Sequence, residues 1–537
     1  MNQRPILKNK LYLYLTEFFS GVAVMAVELG ASRLLAPYFS SSQIVWTIII
    51  GTIMIAMALG NLYGGRTADR DPNRLYRRIL IAAVWIALIP VVGKYVILAV
   101  SAALIFTVST NFLIIAAFAA CMILFVYPLF LLGTVTPSLV KYTTDSLEDN
   151  GRIVGNMEAF NTVGSILGTF LPTFVTIPAV GTSVTFLLFS GILLALGLAY
   201  FLSGRSHLRT CAGALAAVVL CAVFGHRDSF AFWEDDLLYE GESVYNYLQV
   251  KETEDSVILS TNVLFGVQSV RQKDGGLTGM YYDTALAAPL MAGIQEKETF
   301  DILILGMGSG TYAAQCQEFF GGRNGQTLSI EGVEIDQDIT DLARTYFALP
   351  EEVSVSTYDG RAYLQAVDKK YDVILVDAYQ DITIPFQMST VEFFTLVRDH
   401  LKPDGVMAVN MNMHSDGEGS INAHLCDTIS SVFDSVYTAD VPRTTNRELF
   451  AWNGADALET LSGGTAALTR ADLRQNLEDV AQRLTPYTAG DLLLTDDRAP
   501  VELLGIQVID SLIQDEVAHY RELYEQEGLQ GVVESLL

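Results

Sequence analysis

Apolar residues run almost unbroken from the first helix-length stretch to about residue 225. The pattern then changes to short alternations and, past residue 300, to strand-length apolar runs set between amphipathic ones. Crossing hydrocarbon as a helix takes roughly 20 apolar residues, and roughly 11–36, 44–64, 79–103, 111–136, 156–178 and 183–203 meet that length. A seventh run at roughly 208–225 is short and rich in Ala, and a re-entrant or interfacial segment would accommodate it. The first run carries Glu17 and Glu28 and is followed by further spans, which excludes a cleavable signal peptide. Glu28 with Arg33, and Glu158 flanked by Asn156 and Asn161, are costly in lipid and are expected to face the bundle interior.

Residues 229–300 alternate apolar and polar side chains, as in Val244 to Val250 and Ser256 to Leu259, the period of half-buried strands. From residue 301 strand-like and helix-like segments alternate: 301–305, 311–320, 327–334, 337–347, 353–357, 360–367, 371–376, 390–401 and 405–411. That order predicts a multi-pass α-helical membrane domain over 1–226 and a small β-rich unit over 227–300. A Rossmann-like, class I methyltransferase-type doubly wound sheet over 301–537 completes a soluble α/β part.

Charge sharpens the division. Residues 1–226 hold 14 Lys and Arg against 8 Asp and Glu, and the remainder holds 19 against 52. The basic residues cluster at Arg4, Lys8 and Lys10, at Arg66 to Arg78, at Lys141 and Arg152, and at Arg205 and Arg209, whereas 37–43, 104–110 and 179–182 carry no charge. By the positive-inside rule the N-terminus and all the basic loops lie in the cytoplasm. The acidic half repels phosphate backbones, which excludes a nucleic-acid role and permits a cationic substrate. Five cysteines without CxxC spacing indicate neither a disulfide framework nor a metal site.

Ligands of doubly wound sheets lie beyond the carboxyl ends of the strands. Gly306, Gly308 and Gly310 follow the first strand, Glu334 ends the second, Asp359 and Gly360 follow the third, and Asp377 ends the fourth. The glycines let backbone amides approach a ligand. Glu334, 24 residues after Gly310, stands near the spacing at which a carboxylate receives ribose hydroxyls. Asp359 can accept from the exocyclic amine of a base. Together they point to a nucleoside ligand.

At these residues the chain resembles the spermidine synthase (polyamine aminopropyltransferase) family, in particular its membrane-fused bacterial branch. The resemblance rests on Glu242 to Asn246, Tyr281-Tyr282-Asp283, Gly306 to Gly310, Val333 to Asp336, Asp359-Gly360-Arg361, Asp377-Ala378-Tyr379, Ser389 to Phe394 and Thr495 to Glu502. It implies transfer of an aminopropyl group from decarboxylated S-adenosylmethionine, a co-substrate used without metal, to a polyamine, with release of methylthioadenosine. On that resemblance Asp377 orients and deprotonates the attacking amine. Gln268 and Tyr281 line the aminopropyl and amine region, and Asp283, Tyr379 and Asp381 fall on the substrate side. The chain departs from the family pattern at Ser309, where soluble members carry an aspartate, and at Asp381, an acid displaced by one position. Those departures keep an S-adenosylmethionine-dependent methyltransferase open. The intramembrane acids keep a polyamine or solute transporter with a nucleoside-sensing domain open. The implied location is the plasma membrane, with the catalytic domain expected in the cytoplasm, where such cofactors are made.

Overall fold

A computed structural model of the chain describes every residue except 1–4, 40, 69–70, 106–107, 109–110, 144–149, 228, 235, 264–266, 323–324, 379–384, 412–414, 416, 418, 455 and most of 509–537. The chain divides into two units. One is Met1–Trp233 with Glu240–Tyr247, and the other is Glu234–Tyr239 with Leu248–Leu537.

Four helical runs of the first unit are long and apolar enough to cross a membrane: Lys10–Phe39, Gln43–Thr67, Pro72–Leu104 and the 54-residue run Asn150–Ser203. A bent pair, Phe112–Leu124 with Val126–Thr143, makes a fifth if it counts as one span. At 1.5 Å per residue the 54-residue run would be about 80 Å long, far more than the roughly 30 Å of hydrocarbon. Its neighbours show that it doubles back. Gly164 lies against the Phe18 carbonyl and Gly168 against the Val22 carbonyl, so that part runs parallel to Lys10–Phe39 at the close range small residues allow. In Ile177–Ser203 the order is reversed: the Tyr12 hydroxyl donates to the Leu196 carbonyl at 2.7 Å, and Gly30 meets the Phe186 ring. The break is at Gly181, with φ 80° and ψ 171°.

The 17-residue helix Leu208–Phe224 is about 26 Å long. It starts just beyond Tyr200, whose hydroxyl donates to Asn73 at the beginning of Pro72–Leu104. It ends at Gly225, against Val91 well along that same helix. The chain then continues to Ser229, whose carbonyl accepts from Lys94, and to Phe230, whose carbonyl accepts from Tyr38 near the far end of the first helix. At that far end Arg33 donates to the Ser243 and Val244 carbonyls, and Glu242 accepts from both the amide and the hydroxyl of Thr182 beside the Gly181 break. The last helix therefore lies along Pro72–Leu104, between the levels of Asn73 and Val91.

The strands are β1 (Leu237–Glu242), β2 (Tyr247–Glu252), β3 (Ser256–Ser260), β4 (Ser269–Gln272), β5 (Thr299–Leu305), β6 (Thr327–Glu334), β7 (Ser354–Thr357), β8 (Tyr371–Val376), β9 (Leu401–Met411), β10 (Ser435–Asp440), β11 (Arg447–Trp452) and β12 (Thr485–Pro486). The first four form a sheet in that order. The other eight form a sheet ordered β12-β10-β11-β9-β8-β5-β6-β7. β7, β6, β5, β8 and β9 are parallel, and β11, β10 and β12 join antiparallel. This is the doubly wound sheet that the alternation predicts.

The stretch 227–300 differs from the expected β-rich unit. Residues Tyr281–Ala285 and Ala287–Met291 are short helices, wholly buried against the same core as β5, β8 and β11. Leu248, Val250, Val257 and Leu259 pack on Ile339, Leu342 and Phe347. The small sheet therefore closes its apolar face on the helix Gln337–Tyr346, since four short strands have no core of their own.

Candidate active site

β5 lies between β6 and β8, so the chain turns away from it in both directions and a crevice opens at its carboxyl end. Gly306 starts the turn there with φ 81°. A Cβ on it would stand 2.5 Å from the Ala378 Cα and 2.6 Å from the Asp377 carbonyl oxygen, so glycine is what lets this turn press against the end of β8. Gly308 and Gly310 follow with φ 58° and 79°, and the helix Thr311–Phe320 begins at once, its first amides facing the crevice.

Glu334 closes the second side. One of its oxygens accepts from the Gly308 amide at 2.9 Å and the other from the Asp336 amide at 3.1 Å, so the carboxylate holds the glycine turn and keeps lone pairs free for hydroxyls. Burial pushes its carboxyl up to about 7. Asp359 caps the helix Gly360–Ala366, accepting from the Ala362 amide at 2.8 Å, with Gly360 as the first helical residue.

Asp377 follows β8 and is buried. Its two oxygens accept from the Tyr281 hydroxyl at 2.5 Å and from the Asn410 amide at 2.8 Å. Asn410 accepts in turn from the Asn446 amide at 2.9 Å, so the acid is oriented by a relay from β9 and from the turn before β11. Burial raises the Asp377 carboxyl to about 7 against those two donors, and Glu334 nearby adds to the rise. A glycine turn, a sugar-reaching acid and a buried acid of near-neutral pKa thus share one strand edge, which suits binding a nucleoside and accepting a proton beside it.

A family model described as spermine/spermidine synthase domain matches residues 288–450. A probable polyamine aminopropyl transferase of Bifidobacterium longum is 52% identical over 356 residues, 63% of this chain and 78% of the relative. The chain belongs to the polyamine aminopropyltransferase family. A polyamine aminopropyltransferase of Vibrio vulnificus is 26% identical over 51% of this chain and 86% of its own. The spermidine synthase of Thermotoga maritima, a solved structure, is 19% identical over 44% of this chain and 79% of its own, with a TM-score of 0.35.

In this aminopropyltransferase-family chain Tyr281 stands in the crevice and its ring lies 4.0 Å from that of Tyr282, whose hydroxyl donates to the Gln268 carbonyl. The backbone of Gln268 is thereby tied to the site, and its side chain is half-buried. Asp283 sits behind the tyrosines. Its carboxylate accepts from the Thr278 amide and hydroxyl, from the Gly279 amide at 2.6 Å and from Gln315 at 2.7 Å, so its oxygens are engaged within the protein. Tyr379 and Asp381 lie outside the described residues. Ser309, at the position of the family's aspartate, bonds Thr311 at 3.0 Å. Asn410 and Asn446 escaped the sequence reading, although Asn410 stands near the end of a strand that the reading did place.

Proposed function

We propose that this chain transfers an aminopropyl group from decarboxylated S-adenosylmethionine to a short polyamine and releases methylthioadenosine. The observation that carries this reading is the buried Asp377 between Tyr281 and Asn410, beside a glycine turn held by Glu334. Gly306, Gly308 and Gly310 admit the nucleoside and Glu334 takes its ribose hydroxyls. Asp359 receives the adenine amine, with Gly360 beneath it. Gln268 and Tyr281 border the aminopropyl chain. Tyr379, Asp381 and Asp283 complete the substrate side, Asp283 by holding the segment that carries Tyr281.

The chemistry needs a base. An alkylammonium has no lone pair, and deprotonating it at pH 7 costs about 4 kcal/mol, which a carboxylate raised toward neutrality helps to supply. The freed nitrogen attacks the propyl carbon bonded to sulfur. The carbon–sulfur bond breaks with its electron pair returning to the sulfonium, the thioether leaves neutral, and the amine proton rests on Asp377. Purified protein given decarboxylated S-adenosylmethionine and putrescine is expected to release methylthioadenosine in step with acceptor consumption. Methylated amine with S-adenosylmethionine, and no methylthioadenosine, would replace this reading by the methyltransferase.

The helical unit anchors the enzyme in the bilayer with seven crossings, the doubled-back run counting as two and Leu208–Phe224 as the last. An odd number of crossings sets the N-terminus and the catalytic unit on opposite faces. With the basic loops in the cytoplasm, the catalytic unit faces outward, in place of the cytoplasmic position expected from cofactor supply. Reporters fused before Met1 and after Leu537 are expected to be active on opposite sides, and activity on the same side would refute the seventh crossing.

A further inference from the structure

Glu17, two turns into the membrane-spanning helix Lys10–Phe39, is wholly buried. One of its oxygens accepts from the Thr136 hydroxyl at 2.5 Å and from the Asn161 amide at 2.8 Å, so it ties three helical segments together. The other, Oε2, is enclosed and has no hydrogen-bond partner among the described residues. A glutamine would hold those two donors equally well, without the cost of a carboxyl in hydrocarbon. The second oxygen therefore asks for a use.

Its surroundings supply one. Glu28 lies eleven residues on, three turns along the same helix face and roughly 16 Å away, and it is half-buried. The first part of the run Asn150–Ser203 lies parallel to this helix, with Ser165 Oγ 3.1 Å from where a Gly21 Cβ would stand. Successive turns from Asn161 bring Ser165, Thr169 and Thr173, all half-buried, the last level with Glu28. Thr169 and Thr173 donate their hydroxyl hydrogens to carbonyls one turn back, which leaves their oxygens as acceptors. At that level the run opens into a wide turn, Pro172–Thr176, where Pro172 has no amide to give the Gly168 carbonyl. Glu158, one turn before Asn161, is exposed, and its charge acts on Glu17. Acids at Glu158, Glu17 and Glu28, with a stripe of acceptors between the last two, thus extend along about 20 Å of the roughly 30 Å of hydrocarbon.

We propose that this seam conducts protons across the bilayer, with Glu17 as the carrier in its middle. The inference is independent of the aminopropyl-transfer reading. A stripe of carboxylate and hydroxyl acceptors suits a cation that brings only donors, which a hydrated proton and an alkylammonium both do. Room decides between them. A Cβ on Gly164 would stand 2.1 Å from the Phe18 carbonyl oxygen and one on Gly168 2.3 Å from that of Val22, so the two helices meet more closely than an alkyl chain allows. A proton needs space for single waters only. It enters at Glu158, forms an O–H bond on Oε2 of Glu17, and leaves that oxygen as hydronium along Ser165, Thr169 and Thr173 to Glu28. Each carboxyl returns to carboxylate as its proton departs, so charge moves and no bond of the chain is spent.

The test places the full-length protein in lipid vesicles enclosing a pH-sensitive dye and drives protons inward with a potassium diffusion potential. The wild type is expected to acidify the lumen at least about tenfold faster than protein-free vesicles, and Glu17→Gln to fall to the protein-free rate. Glutamine keeps the bonds to Thr136 and Asn161, so the variant separates proton carriage from helix tying. Glu28→Gln, at a half-buried position, is expected to do the same and decides the matter should Glu17→Gln fail to fold. Wild-type acidification no faster than that of empty vesicles overturns the inference, as does conduction by Glu17→Gln at the wild-type rate. Uptake of labelled putrescine that depends on Glu17, without acidification, overturns it in favour of an alkylammonium path. None of these results bears on methylthioadenosine release.

Discussion

Asp377→Asn is expected to lower turnover with a saturating diamine by about a thousandfold, within the range over which a positioned base contributes. Asn keeps the shape of the side chain and its place between Tyr281 and Asn410, but it cannot take the amine proton. In the wild type kcat/KM is expected to rise with pH through a limb near 7, the value to which burial lifts this carboxyl. Stability moves the other way. A carboxyl raised from its ordinary value contributes stability that is full below about pH 4 and is lost as pH rises through about 7. The difference in melting temperature between Asn and Asp should therefore shift in favour of Asn from pH 5 to pH 8. A variant that loses activity only in proportion to its unfolded fraction would remove Asp377 from the chemistry.

Gly306→Ala is expected to cost about 3 kcal/mol or more of stability in the catalytic unit and to abolish nucleoside binding. Two penalties combine there. A left-handed φ of 81° strains any L side chain by about 1–2 kcal/mol. The new Cβ would also stand 2.5 Å from the Ala378 Cα, where the obstacle is backbone and cannot rotate away. Gly322→Ala is the control, because its φ of 68° carries the strain and nothing lies within 4 Å of the added methyl. Thermal melts should show a loss of about 1 kcal/mol for Gly322→Ala and several times that for Gly306→Ala. Equal losses would show that the approach of the glycine turn to the end of β8 is not constrained.

Much of this architecture is legible in the order of residues. The expected segments 311–320, 327–334 and 371–376 coincide with observed elements, because buried parallel strands read as unbroken apolar runs and the glycine turn marks where a helix must start. Asp336, Asp359 and Thr390 cap the helices that follow them, so polar residues at strand ends serve both boundary and site. The helices at 281–291 were hidden because every residue there is buried and a fully buried helix shows no periodicity. Leu473, Leu477 and Val480 did carry helical spacing, at the buried face of the helix Ala471–Arg483, in a region where no element was assigned. Asn410 belongs to the site through strand register, and register is not written in the distance between residues along the chain.

All five cysteines, Cys121, Cys211, Cys221, Cys316 and Cys426, are free and buried, and burial pushes the Cys316 and Cys426 thiols up to about 12. Thiolate is the reactive form, so the natural chain should stay silent toward membrane-impermeant maleimides. A single cysteine introduced at exposed Arg205 or at exposed Glu254 would then be the sole target of such a dye in whole cells, making sidedness readable from one fluorescent band on a gel.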